Sequence, residues 1–308
     1  MNICEPAGVY RAYNLNIQSD LRLPELPSGG SQVDVFVRIG AVGADPPPFD
    51  DTGHGFLIDR GNAHYSLKDV GLFVVSRGQD IRLEPWSDGE LLRLSLLGPA
   101  MALLLQQRGI FVLHAGAVAM DGGAVAFLGG SGWGKSTLVA MLHARGHPFL
   151  CEDVAGLVAT GTHVEVTPSF PQFKLWPDAA ERLGWSPAEH PQVHPECEKR
   201  LVRFGGSFSA QPVPLRRIYL LAVGGRVAVE PIEPVAQLEE ILRHWYGSRF
   251  GPEYLRSLDR RDHFLQAAEL VRKVPVRLLR RPASFHEDSS LPEAIEREIL
   301  RDLRESTG

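Results

Sequence analysis

Cysteine is scarce in the 308-residue chain: three occur, Cys4, Cys151 and Cys197. The number is odd and no CxxC spacing joins them, which excludes a disulfide framework or a cysteine zinc site as organiser of the fold and points to a reducing compartment. Long hydrophobic runs are missing too. The apolar stretches fall far short of the roughly 20 residues a membrane-spanning helix needs, and no charged-then-apolar leader opens the chain. A cytoplasmic protein that engages no membrane is expected. Positive charge is not in excess either. A net charge of −5 gives no general attraction to nucleic acid or anionic lipid, so neither is expected as a partner. Among the cations lysine is rare, limited to Lys68, Lys135, Lys174, Lys199 and Lys273. What is present, 44% apolar and 22% charged side chains, suits a globular chain that buries one sizeable core or two smaller ones.

Short alternating or apolar runs at 10–17, 33–39, 64–67, 72–76, 81–84 and 91–95 are separated by glycine, proline and aspartate clusters. This pattern predicts a β-rich amino-terminal region over residues 1–97. Helix formers fill 98–108 and lead into a second region, 98–308. There, apolar segments at 110–113, 115–120 and 124–128 read as strands, with a turn at Asp121-Gly122-Gly123. The last of them ends in glycines and meets a helix starting at Lys135 and stopping at Gly146. Further strands are expected at 148–151, 154–158 and 164–166. Residues 184–214, with prolines, glycines and charges in no clear period, read as an insertion or mobile loop. A β-hairpin is expected over 218–232 around Gly224-Gly225, then helices at 235–246, 262–273 and 291–303 with a short strand at 276–279.

The most specific chemical signal is Gly129-Gly130-Ser131-Gly132-Trp133-Gly134-Lys135-Ser136, a full match to GxxxxGK[ST] between a strand and a helix. Glycines let backbone N–H groups converge on one concavity, and the adjoining helix adds the positive end of its dipole, so a polyphosphate is cradled. The segment Gly130 to Thr137 is therefore the expected ATP site, with Lys135 reaching the β and γ phosphates and Ser136 placed to ligate Mg²⁺. No NKxD and no LSGGQ-like sequence occurs, which argues against a Ras-like GTPase or a transporter ATPase. Glu152 and Asp153 end the next apolar segment, where a strand end would bring carboxylates beside the metal and the γ-phosphate. Successive residues of an extended strand face opposite ways, so only one acid, Asp153, is expected to face the reacting phosphate directly. His114 closes the segment upstream of the loop. Lys174, in an apolar context, and Lys199, Arg200 and Arg203, at the end of the irregular region, are candidate phosphate or substrate contacts. His190, His194 and Cys197 have loosely metal-like spacing, but Pro191 and Pro195 break any helix that would align them, which argues against zinc.

Leu113-His114-Ala115-Gly116, the loop Gly129 to Thr137, Ala144-Arg145-Gly146-His147 and Glu152-Asp153 together resemble the core of HPr kinase/phosphorylase, a bacterial serine kinase with a phosphoenolpyruvate-carboxykinase-like P-loop fold. The resemblance implies an α/β P-loop kinase core with a β-rich amino-terminal region. It implies that His114 assists catalysis, that Lys135 and Ser136 bind phosphate and metal, with Glu152 beside them, and that Asp153 is general base toward an acceptor serine. A wider likeness, carried by LRLPEL at 21–26, Gln107-Arg108-Gly109, FPQFKLWPD at 170–178 and Val274-Pro275-Val276, is to HPr-kinase-related proteins that include lasso-peptide tailoring kinases. This implies a peptide or small-protein acceptor, in the narrowest form the carboxy-terminal serine of a ribosomally made precursor, and admits a homo-oligomer. Two departures matter. The family's Asp-Asp pair stands here as Glu152-Asp153, and its Glu-Ile-Arg-Gly metal-binding stretch has no counterpart near 170–176. These departures imply a kinase without efficient phosphorylase activity. A nucleotide-dependent regulator and a small-molecule kinase are the alternatives on the same loop.

Overall fold

The computed structural model describes residues 8–194, 196–257, 260–283 and 290–305. Cys4 and Pro195 lie outside the described residues. Seven strands, β1 (Gly8–Ala12), β2 (Leu15–Ser19), β3 (Val35–Ile39), β4 (His54–Asp59), β5 (Asn62–Leu67), β6 (Gly71–Ser76) and β7 (Asp80–Pro85), form one sheet in the order β1-β2-β3-β7-β6-β5-β4. Neighbours run antiparallel except that β3 is parallel to both β2 and β7. The run 10–17, expected as one strand, is a hairpin. Tyr13 and Asn14 adopt φ of 54° and 60°, the left-handed pair that a two-residue turn between twisted strands requires.

A second correction concerns residues 91–95, expected as a strand and found in helix α1 (Glu90–Ser95). Leu92, Ser95 and Leu96 are buried at helical spacing, and no breaker separates them from the helix formers downstream. The chain runs on through one wide π-type turn, Leu96–Ala100, which accommodates Pro99 and its missing N–H, into α2 (Met101–Gln107). Leu97, where the two regions were divided by sequence, therefore lies inside a continuous helical stretch. Met101 to Leu105 are all buried because α2 packs on β6 of the first sheet and on strands of the second. One hydrophobic core joins the two sheets across it.

The second sheet contains β8 (Phe111–His114), β9 (Gly116–Met120) and β10 (Gly123–Leu128), then, after α3 (Lys135–Ala144), β11 (Phe149–Cys151), β12 (Val154–Thr160) and β13 (His163–Thr167). A small sheet comes next in sequence, made of β14 (Gln172–Leu175), and, after α4 (Pro177–Arg182), β15 (Gln192–His194) and β16 (Cys197–Arg203). Residues 184–214 thus hold ordered strands, with β16 central in the order β14-β16-β15. The chain returns to the large sheet as β17 (Val213–Val223) and β18 (Ala228–Pro231), passes through α5 (Pro234–Arg243), a 3₁₀ turn at Tyr246–Phe250, α6 (Gly251–Ser257) and α7 (Arg260–Lys273), and ends with β19 (Val276–Arg281) and α8 (Leu291–Glu305). The order is β11-β9-β10-β17-β13-β12-β8, with β19 along the later half of β17 and β18 outside β19. The expected hairpin over 218–232 is therefore absent as such. Strand β19, which buries Val276 and Leu279, sits parallel to β17 and separates it from β18. A distant strand with buried positions displaced the local one, none of whose residues is buried.

Candidate active site

The site grows from the end of β10, all six of whose residues are buried. Gly134, at φ 77° and ψ 21°, turns the chain into α3 through a left-handed conformation that L side chains resist, and it offers no side-chain cap. The first-turn N–H groups of α3 are left to face the loop's concavity. At Gly130 the close neighbour is a side chain: a Cβ there would stand 3.0 Å from the Trp133 indole nitrogen, so the indole would have to shift. Trp133 itself does not line the cavity; its carbonyl accepts a short hydrogen bond from Arg281. The rest of the segment from Gly130 to Thr137 lines a cavity of about 390 Å³, together with both acids, His114, Lys174, Lys199 and Arg249.

Lys135 is buried with its Nζ donating to the carbonyls of Gly129 at 2.7 Å and Gly130 at 3.2 Å. Burial pushes its ammonium down to about 8, against the pull of Asp153 and Glu152. An ammonium desolvated to this degree gains from a polyanion beside it. Ser136, one residue on, donates a short hydrogen bond from Oγ to Oε1 of Glu152. Burial raises the proton affinity of Glu152, with Lys174 opposing, so this carboxylate is short of positive charge. A hydroxyl and a half-buried carboxylate are hard oxygen donors, and Mg²⁺ commonly takes one or two protein oxygens together with water and substrate phosphates. The Ser136–Glu152 corner fits that ion. Among the described residues no group of three or more His, Cys, Asp or Glu side chains could hold a metal.

The two acids do not point apart as strand alternation predicts. β11 ends at Cys151, and Asp153 adopts φ 72° at the centre of a three-residue turn closed by Val154 N–H donating to Glu152 C=O at 3.0 Å. Breaking the pleat turns both carboxylates into one cavity. Such a conformation costs about 1–2 kcal/mol for a non-glycine residue and is tolerated where surrounding contacts fix it. Here they do. Asp153 Oδ2 accepts from Lys174 Nζ at 2.7 Å, while Oδ1 lies 3.5 Å from His114 Nε2 and 3.4 Å from Arg249 Nη1. Burial raises the carboxyl, but Lys174, then His114 and Arg249, outweigh it and hold Asp153 well below the usual carboxylate range.

His114 reaches this place because β8 pairs with β12 so that His114 stands opposite Val154, the neighbour of Asp153. Arg249 Nη1 donates to His114 Nδ1 at 2.7 Å, and a guanidinium can only donate. The ring proton is therefore on Nε2, directed at Asp153. Burial, reinforced by Lys135 and Arg249 against Asp153, pushes the imidazole down to about 3, which leaves it neutral at pH 7. Sequence reading missed Arg249. Its position depends on a bridge between Leu113 and Trp245 and on His114 N–H donating to His244 C=O at 2.8 Å, which fasten the 3₁₀ turn carrying it to β8. No local pattern encodes that contact.

The remaining basic candidates divide. Lys199 lines the cavity, its Nζ 5.6 Å from the centre of the Trp176 ring. Arg200 lies on the opposite face of β16 and does not line the cavity. Arg203 is taken up elsewhere: it donates to buried Glu25 at 2.7 Å and to Glu90. Neither is placed to clamp a phosphate bound there. His194 and Cys197 face each other across the β15–β16 turn, with His194 Nδ1 accepting from Glu196 N–H at 3.1 Å.

No family model matches the sequence, and no curated protein matches it. Among solved structures, the chain is similar to an HPr(Ser) kinase/phosphatase from Coxiella burnetii, with a TM-score of 0.34 and 14% identity over 64% of this chain and 99% of that one.

Proposed function

We propose that the protein is an ATP-dependent serine kinase built on an HPr-kinase-like P-loop core, acting on a peptide or small protein. The observation that carries this reading is the placement of one ionised carboxylate, Asp153, in the same cavity as Lys135 and the open amino terminus of α3. Polyphosphate held by the loop N–H groups and Lys135 would present its terminal phosphoryl group to the Asp153 side of that cavity. Magnesium bound at Ser136 and Glu152 would supply charge neutralisation on the β and γ oxygens.

In transfer, the serine oxygen forms a bond to the γ-phosphorus, the bond to the β,γ-bridging oxygen breaks, ADP leaves and the hydroxyl proton is released. Asp153, kept ionised by Lys174, orients the hydroxyl by accepting its hydrogen bond. A bound γ-phosphate places like charge beside the carboxylate and raises its proton affinity, which readies Asp153 to take the proton as the new bond forms. Neutral His114 directs its Nε2–H to Asp153, and Arg249, which lines the same cavity, would add positive charge beside the transferring group.

The wider likeness favours the carboxy-terminal serine of a ribosomally made precursor as acceptor. Without a counterpart of the Glu-Ile-Arg-Gly stretch, the reverse, phosphate-dependent removal of the phosphoryl group should be inefficient. The test is mass spectrometry of serine peptides incubated with the protein, ATP and Mg²⁺. Gain of one phosphoryl group supports the kinase; ATP hydrolysis with no peptide modified, across a broad serine-peptide set, assigns a nucleotide-dependent regulator instead.

A further inference from the structure

A second cavity, of about 430 Å³, opens between the amino-terminal sheet and the segment that carries Arg249. Its walls are Phe56 and Tyr65 from β4 and β5, Pro48 and Pro99, and Phe250 and Pro252. Phe56 and Phe250 are stacked with centroids 5.3 Å apart, so the aromatic wall joins the two halves of the chain. Arg249 lines this cavity and the phosphate cavity alike, its guanidinium lying over Tyr246 with 5.2 Å to the ring centre.

Asp50 and His54, in the lining before and at the start of β4, make local hydrogen bonds. Asp50 Oδ1 accepts from Thr52 N–H at 2.9 Å, Thr52 Oγ1 at 2.7 Å and His54 N–H at 3.0 Å. His54 Nδ1 lies 3.1 Å from the Tyr65 hydroxyl. What the cavity offers an occupant is apolar and aromatic surface, without a glycine loop and with Arg249 as the cation shared with the phosphate site. Such a lining selects a hydrophobic side chain over a second nucleotide.

We propose that this cavity is the acceptor-side subsite, which receives a bulky apolar side chain of the peptide whose serine is phosphorylated. The proposal rests on the kinase reading above and deepens it. Asp153 Oδ1, where the serine would be held, lies 3.4 Å from Arg249 Nη1, and that arginine also lines the aromatic cavity, so one side chain spans the two. At about 3.3–3.6 Å per extended residue, the apolar side chain belongs within about three residues of the serine. The amino-terminal sheet thereby contributes to acceptor recognition through Phe56 and Tyr65 and through the loop holding Pro48.

The experiment uses the full chain, ATP, Mg²⁺ and a positional-scanning library of peptides with one fixed serine. The wild-type protein should prefer Phe, Leu or Trp at a position within three residues of the serine by about tenfold in kcat/KM. Thr52→Trp and Pro252→Trp crowd the cavity from opposite sides and lie outside the phosphate site. Each should flatten that preference to about twofold and leave KM for ATP unchanged, with a melting curve confirming the fold. Peptide phosphorylation with no apolar preference, or with a preference that survives both substitutions, overturns the subsite and leaves the kinase standing. A rise in KM for ATP in both variants assigns the cavity to the nucleotide and also overturns it. Nucleotide binding with no library member phosphorylated rejects the kinase reading, and the subsite with it.

Discussion

Lys174 Nζ lies 2.7 Å from Asp153 Oδ2, joining the small sheet to the left-handed turn after β11. The ion pair fixes a carboxylate that would otherwise be raised by burial, and Lys174 is drawn upward in turn: desolvation lowers the ammonium, but Asp153 and Glu152 together outweigh it. Replacing Lys174 with Met removes the largest influence that lowers Asp153. In the wild type the carboxyl stays ionised at the acid end of the working range. In Lys174→Met only His114 and Arg249 still oppose burial, and the acid limb of kcat/KM should move up by about 1–2 pH units, with kcat at pH 7 down at least about tenfold. A pH–rate profile identical to wild type contradicts this role.

Lys135 makes nucleotide affinity depend on pH in a defined direction. Its ammonium is pushed down to about 8 by burial, and a bound polyphosphate raises it again. Binding at pH 8.5 should therefore take up part of a proton, and affinity should fall as pH rises through this range. Calorimetry in two buffers of different ionisation enthalpy measures the uptake directly. Lys135→Met should abolish it and weaken ATP binding by at least about tenfold; equal enthalpies in both buffers for wild type speak against a desolvated Lys135.

His114, half-buried and desolvated, gives acid sensitivity of the same sign as a depressed acid. Its folded-state value, about 3, lies below that of an exposed histidine, so the unfolded chain binds the proton first. The stability contributed by His114 is complete above pH ~6.5 and is lost as pH falls toward the folded value. His114→Gln should lose less stability than wild type between pH 6.5 and 4, measured by denaturant midpoints.

Arg203 and Lys199 should separate cleanly. Glu25 is buried with Arg93 Nε at 2.7 Å and Arg203 Nη2 at 2.7 Å, so Arg203→Ala removes a partner from a buried carboxylate and should cost about 1–3 kcal/mol of stability with KM for ATP unchanged. Lys199→Ala should leave stability within about 0.5 kcal/mol and raise KM for ATP. The opposite pattern restores Arg203 to the phosphate site.

The glycine loop, the strand before it, the helix after it and helices α5, α7 and α8 were legible because each is encoded locally, by spacing, periodicity or the left-handed demand of Asp121-Gly122 and Gly134, whereas the short α6 was not expected. What escaped was nonlocal. β19, with Val276 and Leu279 buried, stands between β17 and β18, a pairing that no local pattern encodes, and α1 was misread because Leu92 and Leu96 declare a helix only when the run continues into α2. At the site, strand alternation assigned the two acids to opposite faces and failed at one dihedral, that of Asp153. Arg249 was invisible because its neighbours in space, His114 and Asp153, are 135 and 96 residues away in sequence.

The most direct measurement is made on Asp153→Asn, which keeps an acceptor for Lys174 while removing the charge and the site for the proton. Affinity for ATP by calorimetry should stay within about twofold, and phosphoryl transfer to a serine peptide should drop by about 10²–10⁴. Undiminished transfer by this variant would remove Asp153 from the reaction, and the account built on it would be wrong.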